Sequence, residues 1–188
     1  MAGRRATWPV VLLTAAVVLI VDQLSKAWAV ASLEGRADIS VIGDVLVLTF
    51  VRNPGAAFSL GSGSTLIVSL LALVIVGVLL SKARHLRSVW WAIAMGGMVG
   101  GALGNLVDRG FRTPGGLRGH VVDFIAIPYW PVFNVADMAV VGSAILMVVL
   151  AVLGIDFDGQ RTSRERDEEA PADAATDAPG AVPPESAS

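Results

Sequence analysis

Residues 120–154 read HVVDFIAIPYWPVFNVADMAVVGSAILMVVLAVLG and combine a predicted membrane span with two carboxylates at its edge. The apolar run from 132 to 154 is long enough to cross a lipid bilayer as a helix. Asp137 lies just inside this run, and Asn134 lies three residues earlier on the same helical face. Asp123 lies among valine, phenylalanine and isoleucine residues. Because an ionised side chain within a span costs roughly 2.5–3.5 kcal/mol on insertion scales, we expect the two carboxylates to have a function.

The composition is that of a membrane protein. Of the 188 residues, 54% are hydrophobic, and the mean hydropathy is +0.68. The chain has no cysteine and only two histidines, which excludes thiolate nucleophiles and argues against a histidine-rich metal cluster. No basic run is interleaved with aromatic residues in a polar context, so we expect no nucleic-acid partner.

Four apolar segments predict four transmembrane helices, at about residues 8–31, 63–81, 89–107 and 132–154. The first segment also has features of a cleavable signal peptide, namely two preceding arginines and a small-x-small site at 27–29. The apolar character resumes after Asp22 and Lys26, which favours an uncleaved first span. In the third span, glycines recur every four residues at 96, 100 and 104 and again at 97 and 101. This spacing predicts close helix packing.

The remaining segments predict a small β-element and a tail. Residues 45–51 are β-branched and aromatic enough for a strand, and two or three short strands are expected within 33–60. From residue 156 onward the chain has nine acidic and three basic residues and little to bury, which predicts disorder. The predicted fold class is therefore a membrane all-α protein, with four transmembrane helices, a small extracytoplasmic β-element and a disordered C-terminal tail. We divide it into a membrane domain at 1–155 and a cytoplasmic acidic tail at 156–188.

The distribution of lysine and arginine predicts the orientation in the membrane. The amino terminus, the loop at 82–87 and the tail carry two, three and three of these residues, and the loops at 33–60 and 109–131 carry two and three. This bias is modest and favours both termini in the cytoplasm. The tryptophans fall near the predicted span ends, as expected for residues at membrane interfaces.

Counting along the spans places the polar residues in one layer. At 1.5 Å per residue, Asp22 lies about 21 Å along the first span, near the outer leaflet. Lys26 lies one turn further along the same span, and the other polar residues fall at the outer ends of the third and fourth spans or in the outer loops. The layer contains Asp22, Lys26, Asn53, Asn105, Asp108, Arg109, Asp123, Asn134 and Asp137. The convergence of separate segments on one layer predicts a site there.

Purely structural roles remain open for several of these residues. Asp22 and Lys26 have the i, i+4 spacing of a helical ion pair, which suits a structural pair as well as a substrate-facing role. The polar residues of 105–109 share a helix face and could simply cap the third span. Asn53 ends the predicted strand and could serve the following turn. His120 has no partner in the sequence, and a surface role is favoured over catalysis.

Two carboxylates in an apolar environment suggest acid–base catalysis without a metal or cofactor. Such a pair cannot easily ionise twice, so one member stays charged and activates water while the other stays protonated and polarises a carbonyl. This predicts hydrolysis of a peptide bond at the outer interface. The rival class is a proton-coupled carrier. Carriers favour sites at the membrane midplane and repeated halves, and the sequence predicts neither.

Five blocks of sequence resemble bacterial lipoprotein signal peptidase (signal peptidase II), an integral-membrane aspartic endopeptidase. They occur in the family's order and span about residues 10–155. The blocks are DQxxK at 22–26, RNPGAAF at 52–58, GALGNLVDR at 101–109, GHVVDF at 119–124 and FNVAD at 133–137. The acidic tail is not part of the family pattern.

The resemblance implies a site and a substrate. Asp123 and Asp137 would be the catalytic dyad, and Asn53, Asn105, Asp108, Arg109, Asn134, Asp22 and Lys26 would shape or support it. The implied substrate is a diacylglyceryl-modified prolipoprotein, cut on the amino side of its lipidated cysteine. We therefore expect a multi-pass monomer of the bacterial cytoplasmic membrane, in contact with membrane lipids and inhibited by globomycin. The active site would lie near the outer leaflet.

Overall fold

The computed structural model describes residues 7–55 and 64–160, which form four long helices and one small sheet. The elements in chain order are α1 (Trp8–Leu33), β1 (Ile39–Ile42), β2 (Leu46–Asn53), α2 (Ser64–Ala83), α3 (Val89–Phe111), β3 (Val121–Ala126) and α4 (Val135–Val152). All four helices are long and apolar enough to cross a membrane, which confirms the predicted spans. The predicted tail beyond residue 160 lies outside the described residues.

Helix α3 lies at the centre of the bundle, between α1 and α4. Its glycines allow this. A Cβ atom added at Gly100 would lie 2.6 Å from the Ala15 carbonyl oxygen of α1, and one added at Gly101 would lie 2.5 Å from the Ala136 carbonyl oxygen of α4. Because real Cβ atoms do not approach other atoms so closely, the two glycine rows predicted from the sequence are the surfaces on which α1 and α4 pack.

The outward faces of the helices are apolar and exposed. Leu13, Leu24 and Ile67 are each about two-thirds exposed, although large apolar side chains are normally buried in water-soluble proteins. Such faces suit contact with lipid chains.

Strands β1, β2 and β3 form an antiparallel sheet in that order. The sequence predicts β1 and β2, but it assigns residues 109–131 to a loop, and this is wrong for β3. In β3, Val122 pairs with Arg52 and Asp123 pairs with Val51, so the carboxylate of Asp123 sits on a strand. An acidic residue lowers β propensity, and here pairing with β2 together with burial of the flanking apolar residues outweighs it.

Residues 156–160, which the composition assigns to the tail, contact the start of α3. The backbone N–H groups of Arg87 and Ser88 donate to the Phe157 carbonyl oxygen at 2.8 and 3.0 Å. The Phe157 ring packs on Trp91, with centroids 4.5 Å apart, and Trp91 Nε1 donates to the Ile155 carbonyl oxygen at 2.7 Å. The chain after α4 thus turns back onto the bundle.

Candidate active site

Asp123 is buried at the junction of the sheet and the helices, with only 2% of its surface exposed. Its Oδ2 accepts a hydrogen bond from Asn53 Nδ2 at 2.8 Å, and its Oδ1 accepts one from Asn134 Nδ2 at 2.5 Å. The pKa of Asp123 is raised to about 6, mainly because burial disfavours its charged form and also because of the charge of Asp137; the two asparagine hydrogen bonds and Lys26 act in the opposite direction. Asp123 therefore titrates nearer neutrality than an ordinary aspartate.

Asp137 lies in the first turn of α4, where it forms a capping box with Asn134. Asn134 Oδ1 accepts from the Asp137 backbone N–H at 3.0 Å, and Asp137 Oδ2 accepts from the Asn134 backbone N–H at 3.2 Å. The other carboxylate oxygen accepts from Asn105 Nδ2 at 2.8 Å. The side chain is partly exposed, unlike that of Asp123.

A tight reversal between β3 and α4 brings the two aspartates together. Phe133 returns antiparallel to β3, where it accepts from the Ile125 N–H at 2.9 Å and donates to the Ile125 carbonyl oxygen at 3.0 Å. Asn134, the next residue, then lies between the carboxylates and makes a hydrogen bond with each of them. The sequence places both residues in one layer, and the structure joins their carboxylates through Asn134, whose side-chain amide donates to Asp123 and whose backbone N–H donates to Asp137.

A fully buried cation lies beneath this pair. Lys26 Nζ makes ion pairs with Asp22 at 2.9 Å and Asp108 at 3.0 Å, and all three side chains have no exposed surface. The same amino group donates to Asn105 Oδ1 at 2.9 Å, which leaves the Asn105 amide nitrogen to reach Asp137. The helical ion pair expected from the i, i+4 spacing is therefore present, and Asp108 extends it.

The two carboxylates paired with Lys26 also hold the backbone beside each member of the aspartate pair. Asp22 Oδ1 accepts from the Ala136 N–H at 2.9 Å, one residue before Asp137. Asp108 Oδ2 accepts from the Val122 N–H at 3.1 Å, one residue before Asp123. Lys26 therefore links two acceptors that fix where the two carboxylates stand relative to each other.

Comparison with known proteins agrees with this arrangement. A family model described as signal peptidase (SPase) II matches residues 14–153, about three-quarters of the chain. The chain belongs to the signal peptidase II family. The peptidase is 51% identical over 152 residues to a lipoprotein signal peptidase of Rhodococcus jostii, and the match covers 81% of this chain and 77% of the relative. It is 52% identical over 144 residues to that of Mycobacterium tuberculosis, covering 77% and 71% of the two chains.

Solved structures support the same assignment. A bacterial membrane enzyme determined by the in meso method superposes with a TM-score of 0.67 at 28% identity, covering 76% of this chain and 92% of that one. A second such enzyme gives 0.60 at 27% identity, covering 76% and 87%. The peptidase is therefore a multi-pass membrane protein that removes the signal peptides of prolipoproteins.

Arg109 lies one helical turn after Asn105 on α3 and adds a positive charge to the site. Its charge interacts with both Asp137 and Asp123. Its Nε is buried, and within residues 7–55 and 64–160 it has no hydrogen-bond partner. An arginine in this position is able to donate to an incoming polar group of a substrate.

Arg112 and Gln23 are polar partners that sequence reasoning did not single out. Arg112 Nε donates to Asp108 Oδ1 at 2.7 Å, and Gln23 Nε2 donates to the Gly104 carbonyl oxygen at 3.0 Å. The i, i+4 spacing of Asp108 and Arg112 was a signal for the first. His120 takes no part in the hydrogen bonds of Asp123 and Asp137 described above, and its backbone N–H donates to the Thr113 carbonyl oxygen.

An apolar groove of about 430 Å³ opens beside Asp137. Its walls come from the reversal after β3 and from one face of α4, including Trp130, Phe133, Met138 and Val141. The partly exposed carboxylate of Asp137 therefore lies at the end of a groove that runs along the membrane-spanning helix α4.

Proposed function

We propose that Asp123 and Asp137 are an aspartyl dyad that cleaves diacylglyceryl-prolipoproteins on the amino side of the lipidated cysteine. The observation that carries the proposal is the hydrogen bonding of Asn134 to both carboxylates, which holds two acids together at the edge of a membrane domain. A dyad of this kind shares one proton and needs no metal.

The proposed reaction balances its protons within the dyad. The ionised carboxylate takes a proton from water as the water oxygen attacks the scissile carbonyl carbon, and the protonated carboxyl donates to the carbonyl oxygen. The tetrahedral intermediate then collapses, with a proton passing to the cysteine nitrogen as the C–N bond breaks. The products are a signal peptide with a new carboxyl terminus and a lipoprotein with a free amino group.

The neighbouring side chains have distinct proposed roles. Asn53, Asn105 and Asn134 orient the carboxylates through the hydrogen bonds described above. The ion-paired residues beneath them fix the backbone, and Arg109 stabilises negative charge on the substrate during attack. Each of these roles supports the dyad without direct proton transfer.

The groove beside Asp137 suits the apolar part of such a substrate. A signal peptide is an apolar helix that ends near the outer interface, and acyl chains on the cysteine would hold the scissile bond at the same depth. We expect the purified full-length chain to cleave a diacylglyceryl-prolipoprotein at least about tenfold faster than its unlipidated form, since positioning contributes several kcal/mol in such reactions. Gel-shift kinetics in detergent would measure this, with EDTA as an added condition.

Two outcomes would contradict this substrate and mechanism. Equal rates on the lipidated and unlipidated precursors would show that acyl chains do not position the bond. Loss of activity in EDTA, restored by a divalent cation, would replace dyad chemistry with metal chemistry.

The proposed orientation places the dyad outside and both termini in the cytoplasm. Because the chain has no cysteine, single cysteines can be introduced without background. We expect Ser40→Cys, on β1, to react with a membrane-impermeant maleimide in intact cells. The matched variant Ser81→Cys, at the opposite end of the bundle, should react only after permeabilisation. The reverse pattern would place the dyad in the cytoplasmic leaflet.

The pKa of Asp123 predicts the pH dependence of cleavage. A carboxyl with a pKa of about 6 keeps its proton below that pH and loses it above, so kcat/KM should fall on the alkaline side with an apparent pKa near 6. Asn53 donates to Asp123 and lowers this pKa, so Asn53→Leu should move the alkaline limb to higher pH. A Thr49→Ala variant on the same strand is the control. A lower rate with an unmoved limb would mean that Asn53 only supports the fold.

A further inference from the structure

A second cavity lies at the end of the bundle opposite the dyad. It has a volume of about 660 Å³, which is in the range of small-molecule sites. Leu79 of α2, Trp91 and Met95 of α3, and Met147 of α4 form its walls. It exists because α2 and α4 both pack on α3 and leave a gap between them.

The polar edge of this cavity is basic. Lys82 and His85 line it, and both are exposed, so the lysine charge and the imidazole N–H are available to a ligand. Arg84 and Arg87 belong to the same short connection between α2 and α3 and are also exposed. Any ligand held here would therefore have an apolar body and a negatively charged end.

The C-terminal turn closes one side of the cavity. The Phe157 ring lines it and packs against Trp91 at a tilt of 57°, and the Phe157 carbonyl oxygen accepts two backbone hydrogen bonds from the start of α3. Asp156 and Asp158 flank this ring, but neither is among the residues that line the cavity. The turn therefore supplies an apolar wall through Phe157, while Lys82 and His85 line the polar edge.

We propose that this cavity binds an anionic phospholipid, with an acyl chain between α2 and α4 and the phosphate against Lys82 and His85. Clusters of basic residues beside membrane spans attract the acidic lipids of the cytoplasmic leaflet. The assignment to that leaflet rests on the proposed orientation. The site lies at the other end of the bundle from the dyad, so a negative result in the lipid-binding test would leave the catalytic proposal unchanged.

Native mass spectrometry of the full-length chain in detergent tests the proposal. The probes are phosphatidylglycerol and phosphatidylcholine with identical acyl chains. We expect phosphatidylglycerol to bind about tenfold more tightly than phosphatidylcholine, because it lacks the choline cation that would offset the charge of the phosphate. Lys82→Gln combined with His85→Gln should reduce the affinity for phosphatidylglycerol to that for phosphatidylcholine. Arg36→Gln, at the dyad end, is the matched control and should bind as the wild type does.

A second variant tests the apolar wall. Leu79→Trp fills the space between α2 and α4, and we expect it to lose binding of both lipids. If this variant fails to accumulate, the comparison of charged-edge variants decides the question on its own.

Three results would overturn the proposal. One is equal affinity for the two lipids. Another is a loss of binding in Arg36→Gln as large as that in the Lys82 and His85 variant. The last is binding of phosphatidylglycerol only after residues 161–188 are removed, which would make the acidic tail the natural occupant of the cavity.

Discussion

We expect Asp123→Asn and Asp137→Asn each to reduce prolipoprotein cleavage by about 10²–10⁴-fold, the contribution typical of acid–base catalysis. Asparagine keeps the shape of the side chain and one acceptor oxygen, but it replaces the other oxygen with an NH2 donor and cannot exchange a proton. Because the two aspartates of the proposed dyad would act as a unit, we expect the double variant to be no slower than the slower single variant. The measurement is single-turnover cleavage of a diacylglyceryl-prolipoprotein by purified protein.

The catalytic variants should fold normally, and Asp123→Asn should gain stability at neutral pH. The pKa of Asp123 is raised in the folded state, so ionisation opposes folding, and this cost appears as the pH rises from 3.8 to about 6. Removing the ionisable group removes the cost, and the melting temperature at pH 7.5 should rise. Asp38→Asn, in the exposed connection before β1, is the control for both measurements. Near-normal turnover in both dyad variants would mean that the chemistry lies elsewhere in the chain.

Lys26→Met should have the largest effect on stability. The substitution leaves Asp22 and Asp108 buried without their shared cation, and breaking a buried ion pair in this way typically costs about 3–5 kcal/mol. We expect little folded protein in the membrane, or a melting temperature in detergent well below that of the wild type. Lys82→Met, at the chain's other and exposed lysine, should change little.

A compensated variant separates charge from architecture. Asp22→Asn and Asp108→Asn, added to Lys26→Met, leave no unpaired buried charge among the three. The asparagine oxygen at position 22 can still accept from the Ala136 backbone N–H, and the one at position 108 can accept from the Val122 N–H; these two residues precede Asp137 and Asp123. We expect folded protein to return, with partial recovery of cleavage. If Lys26→Met alone were as stable as the wild type, the linking role assigned to Lys26 would be wrong.

The sequence by itself determined the spans and the family. An apolar run long enough to cross the bilayer is expected to form a transmembrane helix, because a helix satisfies its backbone hydrogen bonds within itself. The glycine spacing in α3 likewise predicted close packing, since only small residues let backbones approach. The five motif blocks carried the family assignment and named the nine polar residues of the site. None of these inferences needed to know which helices are neighbours.

The tertiary structure decided how those residues meet. Strand β3 was missed because its stability comes from pairing with β2, which is distant in sequence, and not from local propensity. Only the reversal at Phe133 places Asn134 between Asp123 and Asp137. The role of Lys26 was open from its spacing, because an i, i+4 pair looks the same on an exposed face and in a core. Its burial and its ion pair with Asp108 of α3 appear only in the tertiary structure, because they depend on packing across the whole bundle.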